Sequence, residues 1–355
     1  VRIISLPWRN YPTHLGDNLS FRLPPGLDLL IQDELNHPSL LAANRRKQYP
    51  VVSLVHHLRC SELRPAWQNA FYRFIERRYL QSVDGFIFNS QTTRGVVTDL
   101  IGDKQLGIVA YPPTDRFGAA LPEAFIRARA AEPGPLRIVF LGNVIPRKGL
   151  HVLLEAIRRH PSAFWLDVIG SLKTDPAYAR KMKSLAARNG GTVNRTYPSP
   201  NEDAADTPAS GDEQGVSQIP YGYNAANRKS KIIHFHGPLD NLLLAEKLKA
   251  AQVLVVPSSY EGFGIVYLEG MGFGLPAIGT TAGAAGEIIR DGETGFLIAP
   301  QDAETLAARL QALAEDRGLL TRLSIQAAQR YREQPTWQQT SGEIRSFLEG
   351  MVKGK

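Results

Sequence analysis

From Leu136 onward, short unbroken apolar runs alternate with amphipathic stretches of helical length, and this alternation limits the possible folds more than any other feature. Leu136-Arg-Ile-Val-Phe-Leu, Phe164-Trp-Leu-Asp-Val-Ile, Lys231-Ile-Ile-His-Phe-His and Gln252-Val-Leu-Val-Val read as strands. Leu150-His-Val-Leu-Leu-Glu-Ala-Ile, 178–188 and 241–250 read as helices between them. Strands apolar along their whole length have to be covered on both faces, which implies a parallel sheet with helices above and below it. In such a doubly wound domain, ligands sit at the carboxyl ends of the strands.

Two stretches break the rhythm. Residues 189–229 are rich in Gly, Asn, Pro, Ser, Asp and Glu with almost no aliphatic periodicity, and read as a long mobile surface insertion. Residues 118–135, rich in Ala and Pro, separate two domains. Before that break, Leu27-Asp-Leu-Leu-Ile-Gln, Val51-Val-Ser-Leu-Val and Gly85-Phe-Ile-Phe-Asn look like strands. Helix 67–80 interleaves aromatic and basic residues. That pattern suits either an anionic membrane surface or an ordinary packed helix with its arginines in water. Segments 303–316, 319–331 and 337–352 read as helices. The expected organisation is therefore an N-terminal α/β domain over 1–133, a C-terminal one over 134–334, and a last helix in 335–355 returning toward the first domain.

At 355 residues the chain has enough length for two domains with separate cores. No apolar run approaches the about 18–20 residues of a membrane span, and the first residues lack a signal-peptide pattern. One cysteine, Cys60, rules out an intrachain disulfide framework and fits a reducing, cytoplasmic compartment. The net charge of +7 favours anionic partners such as nucleotide phosphates or acidic lipid. The basic residues are dispersed and no nucleic-acid-binding signature occurs, so nucleic acid is not expected.

Two segments carry candidate chemistry. Leu141-Gly-Asn-Val-Ile-Pro-Arg-Lys-Gly149 joins a buried strand to a helix, with glycines at Gly142 and Gly149 and adjacent cations at Arg147 and Lys148. Such a turn can aim cations and helix amides at a phosphate, or it can be a plain strand-to-helix turn with solvated cations. It is neither a P-loop nor a dinucleotide turn, because the glycine spacing differs and Gly149 follows the lysine. The second segment is Glu261-Gly-Phe-Gly followed by a helix from about Gly264. From Phe263 to Thr280 the one charged side chain is Glu269, with no partner within a helical turn. A carboxylate in such a run needs a counterpart, and a ligand rich in hydroxyl groups is a natural one. His56-His57 with Cys60, and His234-x-His236, lack further metal ligands in sequence, so no metal site is expected.

Ser259-Tyr-Glu-Gly-Phe-Gly-Ile-Val-Tyr-Leu-Glu-Gly-Met, then Gly274-Leu-Pro-Ala-Ile-Gly, Gly283-Ala-Ala-Gly-Glu287 and Asp291-Gly-Glu-Thr-Gly-Phe-Leu, resembles the retaining glycosyltransferases of family 4. The turn 142–149 resembles the same family. The resemblance covers most of 136–331 outside the insertion and, more weakly, 51–117. It implies the GT-B fold, two Rossmann-like doubly wound domains, the C-terminal one binding a nucleotide sugar and the N-terminal one a glycan or lipid acceptor. It also implies hexose transfer with retained configuration, metal-independent in keeping with the absence of any Asp-x-Asp pair, and no cofactor.

Carried over residue by residue, the resemblance places Lys148 and Arg147 on the diphosphate and Glu261 near the donor sugar. Phe263, Gly264 and Ile265 would offer backbone amides, and Glu269 would hold the ribose hydroxyls. Gly142 and Asn143 line the turn; many members have Arg where Asn143 stands, which puts more of the charge compensation on Arg147 and Lys148. Val51-Val-Ser-Leu-Val-His-His57 resembles the family strand ending in a histidine that faces the donor sugar, with His56 the better match and His57 the alternative. Nothing before Val51 resembles the family's opening strand and glycine-rich loop, so the N-terminal domain is expected to be incomplete. Two other readings therefore stand beside transfer: a non-catalytic nucleotide-sugar-binding remnant or partner subunit, and a GT-B epimerase that hydrolyses its donor.

Overall fold

The computed structural model describes residues 2–7, 10–103, 106–159, 163–188, 192–194 and 231–353. Among the described residues, eleven parallel strands form two sheets. The first contains β1 (Leu30–Asp33), β2 (Val51–Val55), β3 (Gly85–Phe88) and β4 (Leu106–Val109), in the order of the chain. The second contains β5 (Leu136–Leu141), β6 (Phe164–Ile169), β7 (Thr192–Asn194), β8 (Lys231–Gly237), β9 (Val253–Val255), β10 (Ala277–Thr280) and β11 (Gly295–Ile298). Its order is β11-β10-β9-β5-β6-β8-β7. The expected insertion 189–229 lies outside the described residues except for Thr192–Asn194, which add β7 at the edge of the second sheet.

Alternation along the strands explains the layers of the first sheet. Val51, Val55, Phe86 and Phe88 join Tyr79 and Leu80 of helix Ala66–Leu80 and Val97 of helix Gln91–Ile101 on one face. Val52, Ile87 and Ala110 face the other way, against Ile344, Phe347, Leu348 and Met351 of the last helix, Trp337–Lys353. The chain thus crosses back after the second sheet and uses its C-terminal helix to cover the first.

The stretch 118–135 contains a helix, Glu123–Ala131, which packs on the second half with Ile126 and Ala130 buried. Arg129 donates to the Gly274 carbonyl at 2.8 Å, and Tyr331 donates to the carbonyl of Gly118 at 2.6 Å. Much of this crossing segment is therefore bound to the C-terminal half. Among the described residues, no helix is long and apolar enough to cross a membrane.

The second sheet determines where a ligand can sit. From β5 the chain moves outward through β6 to β8, then returns to place β9 on the other side of β5 and continues to β10 and β11. The two directions diverge between β5 and β9, so the loops after those strands open a crevice. Those loops are 142–149 and 256–264. The four described strands of the first sheet follow one another without reversal and contain no such switch.

Candidate active site

After β5 the backbone turns through the short 3₁₀ segment Pro146–Lys148 into Gly149, whose φ is 75°, before helix Leu150–Arg159 begins. A side chain at Gly149 would bring Cβ to 2.0 Å from the Pro257 carbonyl oxygen. Only glycine lets the two crevice loops touch here. Ser259 N donates to the Arg147 carbonyl at 2.8 Å, and Arg147 Nη1 donates to the Tyr260 carbonyl at 3.0 Å. Asn143 is exposed, and its Oδ1 accepts from Ser171 N at 3.3 Å, joining the turn to the loop after β6. Gly142 N donates to the Ile169 carbonyl at 2.9 Å.

The cations of the first loop meet the carboxylate of the second. Lys148 Nζ lies 2.5 Å from Glu261 Oε1, Ser258 Oγ donates to the same oxygen at 2.5 Å, and Arg147 Nη1 stands 3.8 Å from Oε2. Burial opposes the charge on Glu261, yet Lys148, Ser258 and Arg147 outweigh it and hold the carboxyl below its ordinary value. Two cations face one carboxylate, and a lysine ammonium has three hydrogens, so Lys148 can keep Glu261 and still donate to an incoming anion.

Helix Ile265–Gly272 starts two residues after Phe263, with Gly264 in left-handed geometry and no side chain capping the first turn. Ile265 is exposed, whereas the Phe263 ring is buried beside Tyr111. The first amides of this helix and its positive dipole end follow directly on the Glu261 loop.

The first sheet supplies the other wall. His56 and His57 follow β2, and both backbone amides donate to Glu34 Oε2, at 3.0 and 3.3 Å. Glu34 is 1% exposed; burial pushes its carboxyl up to about 8 against the pull of those two amides. The two histidines have different surroundings. His57 contacts Glu62 at 2.9 Å and packs on Tyr260 of the other half, whereas the His56 ring is half-exposed, 3.9 Å from Asp33. A Cβ on Gly262 would come within 2.3 Å of the His56 carbonyl oxygen, so the histidine strand and the Glu261 loop are in backbone contact. Ser90 Oγ donates to the Gly262 carbonyl at 2.8 Å. Glu287 accepts from Gln91 N, Thr92 N and Thr92 Oγ1 at 2.9, 2.7 and 2.6 Å, capping a first-half helix from the second half.

Glu269 departs from the expectation that its counterpart is a ligand alone. Its Oε1 accepts from Arg116 Nη1 at 2.7 Å, an ion pair spanning 153 residues. Arg116 sits in the turn Asp115–Phe117, just before the crossing segment, and carries no local signal that would have singled it out. Ser258 and Glu34 were equally inconspicuous, and Glu287 stood at the end of Gly283-Ala-Ala-Gly-Glu287 without a role.

A further cluster lies away from the crevice. Asp167, His234 and His236 bring one ligand atom each within 4.8 Å, which supplies the third group the His-x-His pair lacked in sequence. His236 Nε2 is 2.5 Å from Asp167 Oδ1, and Lys247 Nζ approaches the same oxygen at 3.9 Å. Burial opposes the Asp167 charge, but the two histidines and Lys247 prevail and lower its pKa. The carboxylate is thus balanced by groups already in place.

With this geometry, three comparisons are informative. Residues 214–316 match the family model for glycosyl transferases group 1. The D-inositol 3-phosphate glycosyltransferase of Geodermatophilus obscurus is 25% identical over 268 residues, covering 75% of this chain and 52% of the relative. The chain thus spans about half the length of that curated relative. Among solved structures, sucrose-phosphate synthase from Thermosynechococcus elongatus superposes with a TM-score of 0.70 at 21% identity, over 93% of this chain and 75% of that one. Anabaena HepE in complex with UDP-glucose gives 0.67 at 18% identity, over 91% and 79%. These structural likenesses bear on the fold, which is GT-B.

Proposed function

We propose that this chain, which carries a glycosyl transferases group 1 domain on a GT-B fold, moves a hexose from a nucleoside diphosphate sugar to a hydroxyl of a glycan or lipid, with retention and without a metal. The observation that supports this most directly is the convergence of Lys148, Arg147 and Glu261 at the switch between β5 and β9, with His56 in backbone contact across the crevice. In the proposed reaction the acceptor attacks on the face from which the diphosphate departs, through an oxocarbenium-like transition state. The departing phosphate oxygen takes the acceptor proton. Lys148, Arg147 and the first amides of helix Ile265–Gly272 stabilise the charge that builds on the diphosphate. Glu261 keeps Lys148 aimed into the crevice and approaches the sugar, His56 faces the sugar from the other wall, and Glu269 receives the ribose diol.

The test begins with thermal unfolding in a panel of UDP-, GDP- and ADP-sugars, with UDP-glucose first because HepE is similar in fold and is seen with it. A ligand at a hundred times its dissociation constant stabilises the folded state by ~2.7 kcal/mol. The expected result is a raised midpoint for at least one donor, followed by sugar transfer to an added acceptor with retained anomeric configuration. If no donor shifts the midpoint, the reading fails. Calorimetric donor binding without transfer to any acceptor supports a non-catalytic binding subunit instead.

The same reading gives the acceptor side a surface. Helix Ala66–Leu80 buries Ile75, Glu76, Tyr79 and Leu80 but leaves Trp67 72% exposed and Phe71 and Phe74 about half exposed, near exposed Arg73, Arg77 and Arg78. Of the two sequence readings of this helix, exposure of its aromatic stripe supports contact with an anionic membrane, and a peripheral place on a cytoplasmic face fits it. Co-sedimentation with phosphatidylglycerol vesicles should exceed that with phosphatidylcholine and fall in Trp67→Ser/Phe71→Ser. Equal sedimentation of both proteins with both vesicles refutes the contact.

A further inference from the structure

Arg116 lies in the turn Asp115–Phe117, just before the segment that crosses between the halves, and its guanidinium is held by two residues of the C-terminal half and by the neighbouring Phe117 ring. Nη1 donates to Glu269 Oε1 at 2.7 Å, and Nε and Nη2 donate to Asn241 Oδ1 at 3.2 and 2.7 Å. The guanidinium carbon lies 4.9 Å from the centre of the Phe117 ring, which itself packs on Phe273 with centroids 5.4 Å apart. Asn241 opens the helix that leads from β8 to β9 and Glu269 lies in the helix that leads from β9 to β10, so the guanidinium links the two crossovers that enter and leave β9. Glu269 Oε2 accepts no hydrogen bond among the described residues.

We propose that Arg116 is a positioning residue for the nucleotide: by fixing one oxygen of Glu269 it presents the other to the ribose diol. This rests on the reading that Glu269 holds the ribose. A glutamate on an otherwise apolar helix has several rotamers, and binding a diol with it requires selecting one. Arg116 makes that selection before the ligand arrives, because its planar fork is itself fixed by Asn241 and Phe117. Preorganising one side chain changes affinity by roughly fivefold, and only for ligands that use that side chain. The effect of Arg116 should therefore depend on the ribose hydroxyls.

The experiment is calorimetric titration with UDP, GDP and ADP, each paired with its 2′,3′-dideoxy counterpart. Wild type is expected to bind at least one ribonucleotide more tightly than its dideoxy partner, and Glu269→Ala to abolish that preference. Arg116→Ala should weaken the ribonucleotide about fivefold and leave the dideoxy ligand unchanged. Asn241→Ala should act in the same direction and add nothing in the Arg116→Ala background. If Arg116→Ala does not fold by circular dichroism, Arg116→Lys and Asn241→Ala carry the comparison. Equal loss for both ligands, or no loss for the ribonucleotide, overturns the role of Arg116 while the Glu269 reading stands. A wild type without ribose preference, a Glu269→Ala that retains it, or no nucleotide binding overturns the ribose reading and this proposal with it.

Discussion

Lys148 and Glu261 each make sense only through the other. A buried carboxylate costs several kcal/mol unless cations reach it, and Glu261 has two. On the proposed reaction Lys148→Ala should lower turnover by about 10²–10³-fold, the scale of losing one preorganised charge-stabilising donor. Turnover close to wild type in a folded Lys148→Ala protein would remove its assigned role. The lysine also contributes to stability: because the Glu261 carboxyl is held below its ordinary value, that contribution is present above the ordinary carboxyl range and is lost as pH falls through the folded value. The stability gap between wild type and Lys148→Ala in urea unfolding should therefore narrow in acid. Glu34 has the opposite sign. Its carboxyl is raised from 4.5 to about 8, so its proton-linked contribution is complete below 4.5 and disappears as pH rises to about 8. Glu34→Gln should flatten the loss of stability over that interval. A slope identical to wild type would show that Glu34 titrates normally.

At the scale of elements, the strands of the second sheet were plain in the sequence because continuous apolar runs have one economical solution, burial on both faces. The turn 142–149 was visible for a similar reason, since a glycine after adjacent cations at a strand end restricts what the backbone can do. The contacts those loops make were not visible. Gly262 stood in the Glu261-Gly-Phe-Gly turn without a role of its own, whereas it is one of the points where the two halves touch, against the His56 carbonyl. Gly262→Ala should push the histidine strand away from the Glu261 loop without unfolding either sheet. The expected outcome is retained donor binding in calorimetry with a transfer rate reduced about tenfold or more, since small misplacements of reacting groups lose rate steeply. Helix Gln91–Ile101 and strands β4, β10 and β11 drew no reading of their own.

At the scale of the whole molecule, the two halves are tied by the last helix. Trp337–Lys353 lays Ile344, Phe347, Leu348 and Met351 over Val52, Ile87 and Ala110. Deleting residues 337–355 uncovers that face of the first sheet, so calorimetry should show an early, separate transition for the N-terminal half while the C-terminal half melts near its original temperature. One unshifted cooperative transition would mean the helix contributes little. The second-half parallel sheet, the glycine-and-cation turn 142–149 and the conspicuous Glu269 were legible in the sequence itself, because periodicity, turn chemistry and a lone charge are properties of neighbouring residues. Tertiary structure alone decided that Arg116 meets Glu269, that Glu34 lies beneath the histidine pair, and that Glu287 caps a helix of the other half. Those partners are separated by 153, 22 and 195 residues, and at such separations contact depends on how the elements pack, which no local pattern encodes.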